Sequence, residues 1–364
     1  MKQFRHIFAI LVLAALFGCV RMESIDVPER PVTFSVGSFA PSTKAIALQD
    51  TDDGIYAFRS KGYLYAEGYM DAAQDFFGFA GETISARNAS GAIISSGSVA
   101  QWAPSHPYYW PKSRNSYIDF VSWYDKNGQP STQAENAMAW TFDGTARSLS
   151  GDDNIMIADK AWHYNDNATD YISISGVSEG VPTLFHHLLA QVRVVVKASK
   201  LSDSGITWTV SAGNFTLGNV FTTGSISLSN QEPAVLPSTS PWTTSGWTTT
   251  GSRTSISGVT ANTSINTAGV EMLPTYSIIP QAVGTAYISF SYTVRTQYDA
   301  NNYVEETVQT GNIRLSSFTG AGTSWDMNRR ITYVVTINPE CNEILIDPEA
   351  SDWTSVDLPP ISIE

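Results

Sequence analysis

The strongest constraint on the fold is an alternation of apolar and polar residues along the chain. The clearest case is residues 287–295, where every second side chain is apolar: Ile288, Phe290, Tyr292 and Val294. A strand with one buried face requires this period of two. The pattern recurs in residues 192–196, 206–210 and 333–337, and no stretch sustains a helical period. The sequence therefore predicts an all-β fold made of sandwiches.

Length and composition set the number of domains. The chain has 364 residues, of which 42% are hydrophobic and 12% aromatic, so it can bury more than one core. At roughly 150 residues per domain, two domains are expected. A polar turn cluster at residues 178–183 marks the boundary. We therefore expect an N-terminal sandwich over residues 31–180, a C-terminal sandwich over residues 181–353 and a tail over residues 354–364.

The charge of the chain excludes one class of partner. The formal net charge is −13 at pH 7, and an acidic surface repels phosphate backbones. Nucleic acid is therefore not an expected partner. Only 15% of the residues are charged, and Ser, Thr and Gly are abundant, which is typical of exported β-proteins.

The N-terminus has the layout of an export signal. Lys2 and Arg5 precede an apolar run over residues 7–17, which ends at Gly18 and Cys19. The run is too short for a transmembrane helix, which needs about 20 residues. Its end resembles a bacterial lipobox, although Phe17 is larger than the usual residue. We expect a signal peptide over residues 1–18, lipidation (palmitate included) at Cys19 and a linker over residues 19–30; the alternative is an ordinary signal peptide with a chance cysteine.

Lipidation at Cys19 would anchor the chain in a membrane through its acyl groups. The other cysteine of the chain, Cys341, then has no partner for a disulfide. The fold must therefore be stabilised by its core and not by disulfide bonds.

Motifs for catalysis and metal binding are missing from the sequence, so neither an enzyme nor a cofactor is expected. The chain has no Gly-x-Ser-x-Gly elbow, Gly-rich phosphate loop or His-Glu-x-x-His motif. His186 and His187 would point to opposite faces of a strand, which predicts a packed His186 beside a solvated His187. Residues 152–154 lack the ligand spacing of a calcium loop and are interpreted as a turn.

Aromatic residues cluster in two regions. Residues 108–124 could stack on sugar rings, but the alternation assigns most of them to a core. Residues 237–269 are rich in Ser, Thr and Gly, with Trp242 and Trp247 interspersed, which predicts long loops or edge hairpins and not core.

Several segments, taken in order, resemble the fimbrillin family of anchored fimbrial subunits from Bacteroidales. They are Trp110-Pro111 with the aromatic strand 117–124, residues 153–158, residues 184–192, Ile279-Pro280-Gln281, residues 325–328 before 331–333, and Asp352-Trp353. The resemblance covers nearly the whole chain after the signal. It implies two tandem transthyretin-like β-sandwich domains and a role in fimbriae and cell adhesion at the outer membrane.

The resemblance also implies assembly by strand exchange, in which a protease removes the first strand and a segment of another subunit fills the groove. The removable strand would be residues 31–37, with Val32, Phe34 and Val36 pointing inward. Lys44 occupies the place of the basic residue after which the family is cut. Arg59 is a second candidate for the cleavage site. The alternative to cleavage at Lys44 is that this residue is an ordinary loop lysine.

The C-terminal tail is the candidate donor strand. Val356 and Leu358, then Ile361 and Ile363, are spaced by two and could fill successive pockets of a partner, although Pro359-Pro360 interrupts the ladder. A plain final strand or a frayed tail is the alternative, and the chain would then anchor or cap a fimbria.

The expected partners are other fimbrial subunits, a processing protease, the outer membrane through the lipid, and a surface receptor. The alternative hypothesis is that the chain is a surface lipoprotein that never polymerises. It would bind glycan or host protein through exposed loops such as 237–269, with Trp242 and Trp247 as stacking surfaces.

Overall fold

The structure is a computed structural model of the 364-residue chain. It describes residues 29–38, 54–66, 73–78, 80–113, 115–126, 139–143, 152–165, 180–318 and 323–352. No helix in these ranges is long and apolar enough to cross a membrane. We refer to residues 29–187 as the N-terminal lobe and to residues 190–352 as the C-terminal lobe.

In the described ranges the N-terminal lobe has ten strands. They are β1 (Phe34–Ser38), β2 (Ala57–Tyr65), β3 (Gln74–Asp75), β4 (Glu82–Arg87), β5 (Gln101–Pro104), β6 (Tyr117–Asp125), β7 (Ala139–Asp143), β8 (Ile155–Ala158), β9 (Lys160–Tyr164) and β10 (Val181–His187).

Seven of these strands form a ladder that closes on itself. Going around the ring, the order is β1, β5, β4, β2, β6, β8, β10 and back to β1. Closure occurs because β6 is long enough to pair with β2 along one edge and with both β8 and β9 along the other. Closing the ladder pairs strand edges that would otherwise be open, although β1 and β5 meet at a single residue pair.

The core of the N-terminal lobe lies inside this ring and is dominated by aromatic side chains, including Phe34, Phe58, Trp102, Phe120 and Phe185. The ring requires β10, which pairs with β8 and β1. The ladder therefore continues past residue 180, where the sequence analysis set the boundary, and the chain crosses to the other lobe at Leu188-Leu189.

The described part of the C-terminal lobe contains sixteen strands and a short 3-10 helix (Leu315–Ser317). The strands are β11 (Ala190–Ala198), β12 (Ser202–Asp203), β13 (Ile206–Val220), β14 (Gly224–Ser229), β15 (Ser238–Ser240), β16 (Thr243–Thr249), β17 (Thr254–Ser257), β18 (Thr263–Ile265), β19 (Val270–Ile278), β20 (Gln281–Ala282), β21 (Tyr287–Gln297), β22 (Tyr303–Gln309), β23 (Ile313–Arg314), β24 (Ser324–Trp325), β25 (Arg329–Asn338) and β26 (Glu343–Asp352).

Two sheets enclose the C-terminal core. One has the order β19, β11, β25, β26, and the other is built on β12, β13, β21 and β22, with β17 and β18 also pairing with β13 and β23 with β21. The alternating strand at residues 287–295 is β21, and its apolar face packs into this core as predicted. The all-β class is confirmed, since the 3-10 helix is the only helix in the described ranges.

The two lobes are joined by strand pairing as well as by the chain. β15 pairs with β9 and so extends the sheet of the N-terminal lobe, whereas β7 joins β14 and β16 in a separate three-stranded sheet. A third apolar cluster fills the junction and includes Trp123 and Ile157 from one lobe and Ile226 and Leu228 from the other. Burial of such a cluster holds the lobes together.

Candidate functional site

The first strand is the element that closes the ring. Along one edge β1 runs parallel to β10 for five residue pairs, from Phe34 opposite Val181 to Ser38 opposite Phe185. Along its other edge the contact is short, because β1 meets β5 only where Phe34 lies opposite Trp102. Without β1, β5 and β10 have no ladder between them.

The segment that leads into β1 adds antiparallel contacts with residues 108–110. The Val32 N–H donates to the Tyr108 carbonyl at 2.8 Å, and the Trp110 N–H donates to the Arg30 carbonyl at 2.9 Å. Backbone bonds of this kind fix the register of the segment before the ladder with β10 begins.

The side chains of the segment alternate between the core and the outside. Val32 and Phe34 are buried, and Val36 is partly buried against the same cluster. The Phe34 ring packs edge-on against Phe58 at 5.8 Å and against Phe120 at 5.5 Å between centroids. The structure thus places all three residues of the predicted removable strand at the core; that the strand is removed stays a prediction.

Gly180 brings β10 close enough to pair with β1. Its φ of +141° lies in a region that L side chains rarely adopt. A Cβ atom there would lie 2.9 Å from the Phe34 carbonyl carbon and 3.0 Å from the Ser35 nitrogen. Its neighbour Val181 donates its N–H to the Thr33 carbonyl at 2.8 Å. Sequence reasoning treated this glycine only as part of a turn, although a glycine directly before a strand is a signal of close backbone approach.

The other predicted processing and anchoring residues lie outside the described residues. These are Cys19, Lys44 and the donor residues Val356, Leu358, Ile361 and Ile363. Their roles stay predictions.

Arg59, the substitute cleavage site, is a poor substrate in the folded chain. It lies within β2, opposite Thr83 of β4 and Trp123 of β6, so both strand edges are paired. Its guanidinium donates to the carbonyl of Ala80 at 2.7 Å. A protease needs an extended, accessible chain, and this site offers neither edge.

The histidine pair has the opposite arrangement from the one predicted. His187, expected in solvent, is buried, and its Nδ1 lies 2.9 Å from Asn154 Oδ1. His186 is partly exposed and its Nε2 lies 2.7 Å from Asp159 Oδ1. Burial, followed by the charges of Arg330 and His186, lowers the pKa of His187 to about 3.

No metal site is formed by these groups. In the described ranges there is no cluster of three or more His, Cys, Asp or Glu side chains that could hold a metal ion. Asn154, considered as a calcium ligand, is buried and faces His187.

The tryptophans predicted to lie in loops belong to the junction between the lobes. Trp242 donates its indole N–H to the Ala158 carbonyl at 2.9 Å, and Trp247 donates to the Leu188 carbonyl at 2.6 Å. Both rings pack against the junction cluster. The segment forms strands β15 to β18, which pair with β9, β14 and β13 and not with one another, unlike the edge hairpins expected. Both tryptophans are partly buried, so only part of each ring is exposed for the stacking role of the alternative hypothesis.

The aromatic segment at residues 108–124 is mostly core, as predicted. Trp110, Phe120 and Trp123 are buried, whereas Tyr109 is 44% exposed. Buried aromatic residues provide packing area and are not available to stack on a sugar.

The fold and the site together define a class: an all-β protein of two joined lobes, the first closed by its own leading strand. Comparison with known proteins agrees. The sequence profile of the fimbrillin-like family matches residues 70–353. The chain therefore belongs to the fimbrillin-like family. No curated protein matches the chain.

Solved structures add a likeness in fold. A fimbrial protein from Bacteroides vulgatus superposes with a TM-score of 0.53 at 12% identity, covering 89% of this chain and 100% of that one. A candidate cell adhesion protein from Bacteroides uniformis gives 0.44 at 14% identity, covering 90% and 99%. The fimbrial anchor protein Mfa2 from Porphyromonas gingivalis gives 0.30 at 8% identity, covering 90% and 98%. Of these three likenesses, only the first is close enough to support a shared fold.

Proposed function

We propose that this chain is a lipid-anchored fimbrial subunit at the bacterial outer membrane, that it contributes to cell adhesion, and that it assembles by exchange of β1 for a segment of another subunit. The observation that carries the proposal is the position of β1, which closes the ring between β5 and β10. Membership of the fimbrillin-like family supports it.

Loss of β1 would leave two kinds of unsatisfied surface. The edge of β10 would lose the partner of five residues, Val181 to Phe185. The sites of Val32 and Phe34 would become an apolar slot against Phe58 and Phe120. Unpaired backbone groups and exposed apolar area both favour the addition of a foreign strand.

The donor proposed is the tail of another copy or of a related subunit. The inward-pointing residues of β1 and the segment before it are spaced by two. The same spacing occurs in two pairs of tail residues, Val356 with Leu358 and Ile361 with Ile363. Processing after Lys44 would free the segment that contains β1, since it lies between β1 and β2 in the chain.

Further parts of the proposal come from the family and the N-terminal sequence. They are lipidation at Cys19, display on the cell surface, association with other fimbrial subunits, a processing protease and a receptor. The description of the two lobes as transthyretin-like sandwiches belongs to the same proposal.

The test uses a chain in which residues 42–46 are replaced by the site of a sequence-specific protease. Cleavage should convert the monomer into oligomers detected by light scattering after size exclusion. The matched control is the same chain with Leu358→Asp and Ile361→Asp, which should be cut but remain monomeric because charged residues do not fill apolar pockets. If cut and uncut chains have the same mass in solution, strand exchange is excluded.

Adhesion is tested separately from assembly. Cells that display the chain should bind to host or bacterial surfaces better than cells that lack it. If display of the chain leaves the number of bound cells unchanged, the adhesive role is excluded even where assembly occurs.

A further inference from the structure

An ion pair between β6 and β9 lies entirely inside the N-terminal lobe. Lys160 Nζ is 3.0 Å from Asp119 Oδ2, and both side chains are 0% exposed. Moving a carboxylate and an ammonium out of water is costly, and their attraction compensates only when the remaining polar atoms are also satisfied.

The lysine lacks the acceptors that an ammonium needs. An ammonium has three N–H donors. In the described part of the chain, Asp119 Oδ2 is the single oxygen that accepts a hydrogen bond from Nζ. Its other neighbour is the Trp162 ring, whose centroid lies 3.0 Å away. Trp162 is held in place because its indole N–H is shared between Asn230 Oδ1 and Ser240 Oγ at 3.0 and 2.7 Å.

The backbone of β9 is distorted in a way that serves the carboxyl group. Between the pairs Ile118 with Tyr164 and Phe120 with Ala161 the register shifts by one residue, which is a bulge. Within it, His163 has a φ of +54° and its N–H donates to Asp119 Oδ1 at 2.9 Å. One carboxyl oxygen therefore faces the amine and the other a fixed backbone donor.

We propose that Lys160 and Asp119 condense spontaneously to a side-chain amide that covalently links β9 to β6. The structure holds the two groups at hydrogen-bond distance, which is the geometry before the reaction. The inference does not depend on strand exchange, because neither residue lies in β1 or in the tail.

The reaction balances without any other reagent. A proton passes from Nζ to Oδ2, which gives an amine and a carboxylic acid. The Nζ lone pair attacks Cγ, and the developing charge on Oδ1 is stabilised by the His163 N–H, as in an oxyanion hole. The Cγ–Oδ2 bond breaks, and Oδ2 leaves as water with a second proton from Nζ.

The surroundings favour both the reactant and the product. Burial lowers the pKa of Lys160 to about 8, against the attraction of Asp119, so a neutral amine is accessible. In the amide, Oδ1 still accepts from His163 and the remaining N–H faces the Trp162 ring. Both buried charges disappear, and with them their desolvation cost.

The test is the mass of the purified full-length chain after denaturation. The chain should be lighter than its sequence by about 18 Da, one water. Trypsin cannot cut after an acylated lysine, so residues 115–126 should be recovered joined to residues 148–193. If trypsin instead gives residues 115–126, 148–160 and 161–193 as separate peptides of full mass, the pair is only ionic and the proposal is overturned.

Variants and an internal control sharpen the result. Lys160→Arg should restore the full mass, and Asp119→Asn should lose about 17 Da, because ammonia leaves in place of water. The Lys61–Asp75 pair serves as the control, since its atoms are 3.4 Å apart and Asp75 is 37% exposed. It should remain unlinked in every sample. A link found at Lys61 as well would indicate nonspecific dehydration and would count against a built site.

Discussion

Gly180 and Phe34 lie in backbone contact, so that a methyl group added to the glycine would meet the Phe34 carbonyl carbon at 2.9 Å. Because this contact holds β10 against β1, we expect Gly180→Ala to destabilise the chain by about 2–3 kcal/mol through strain and a clash with backbone. Urea unfolding measures the loss. The control is Gly97→Ala, which has φ +87° but open space around it and should lose less. An equal loss of stability in the two variants would show that the positive φ, and not the contact with Phe34, causes the destabilisation.

Trp247 should act as a structural residue. Its indole N–H donates to the Leu188 carbonyl at the lobe junction. Trp247→Phe should therefore lower the free energy of unfolding by about 1–2 kcal/mol, because the carbonyl loses its donor. Tyr303→Phe, at a position 53% exposed, should have little effect. Unchanged stability together with loss of glycan binding would restore the stacking hypothesis for this tryptophan.

The buried His187 should make the fold sensitive to acid. Its pKa is lowered to about 3 by burial, then by Arg330 and His186, whereas the unfolded chain titrates near about 6.5. Between these values the unfolded state binds a proton that the folded state does not, so stability falls as pH falls, by up to about 1.4 kcal/mol per pH unit.

The measurement for His187 is the unfolding free energy from pH 7 to pH 4. The slope should be smaller in His187→Gln than in the native chain. The control is Asn301→Gln, an exposed substitution that changes no titratable group and should leave the slope almost unchanged. If both variants keep the native slope, protonation of His187 does not limit acid stability.

Removal of one partner of the Lys160–Asp119 pair should be severe. Asp119→Ala prevents the amide and leaves the lysine buried without its acceptor, which should cost at least as much as breaking a buried ion pair, typically about 3–5 kcal/mol. The comparison is Asp203→Ala in the exposed pair with Lys200, whose loss should be small because water screens it. Thermal unfolding of both variants checks the contrast, and similar losses would contradict the assignment of burial as the cause.

Arg59 should resist trypsin while the chain is folded. Both edges of β2 are paired around it, so cleavage there requires unfolding, whereas we expect Lys44 to be cut first. Peptide mapping during limited proteolysis separates the two sites. Cleavage at Arg59 as early as at Lys44 would mean that β2 opens independently of the rest of the ring.

The fold class could be predicted because alternation is a local signal. The apolar face of β21 follows from a period that only one secondary structure satisfies. The inward positions Val32, Phe34 and Val36 follow from the same rule. In β6 the alternation rule does not predict which residues are buried, since the strand is buried on both faces from Ile118 to Trp123. One face packs in the N-terminal core and the other in the junction cluster, and no local pattern reveals that a second lobe covers the outer face.

The phase of a strand is ambiguous where neighbouring residues are both apolar. Leu184 and Phe185 are adjacent, so either could have pointed inward; the structure buries Phe185 and with it His187. A shift of one residue exchanges the faces of the whole strand. This is why the prediction for the two histidines was reversed.

The sequence by itself determined the β class and the spacing of the core residues, because each depends on residues close together in the chain, and it determined the family resemblance, because the order of motifs along the chain can be seen without their contacts. Only the tertiary structure decided that β1 pairs in parallel with β10, that the ladder closes into a ring, and that Lys160 meets Asp119 out of water. The β1–β10 pairing and the Lys160–Asp119 contact join residues that are 41 or more positions apart, and their free energy depends on burial that forms only when distant parts of the chain pack together.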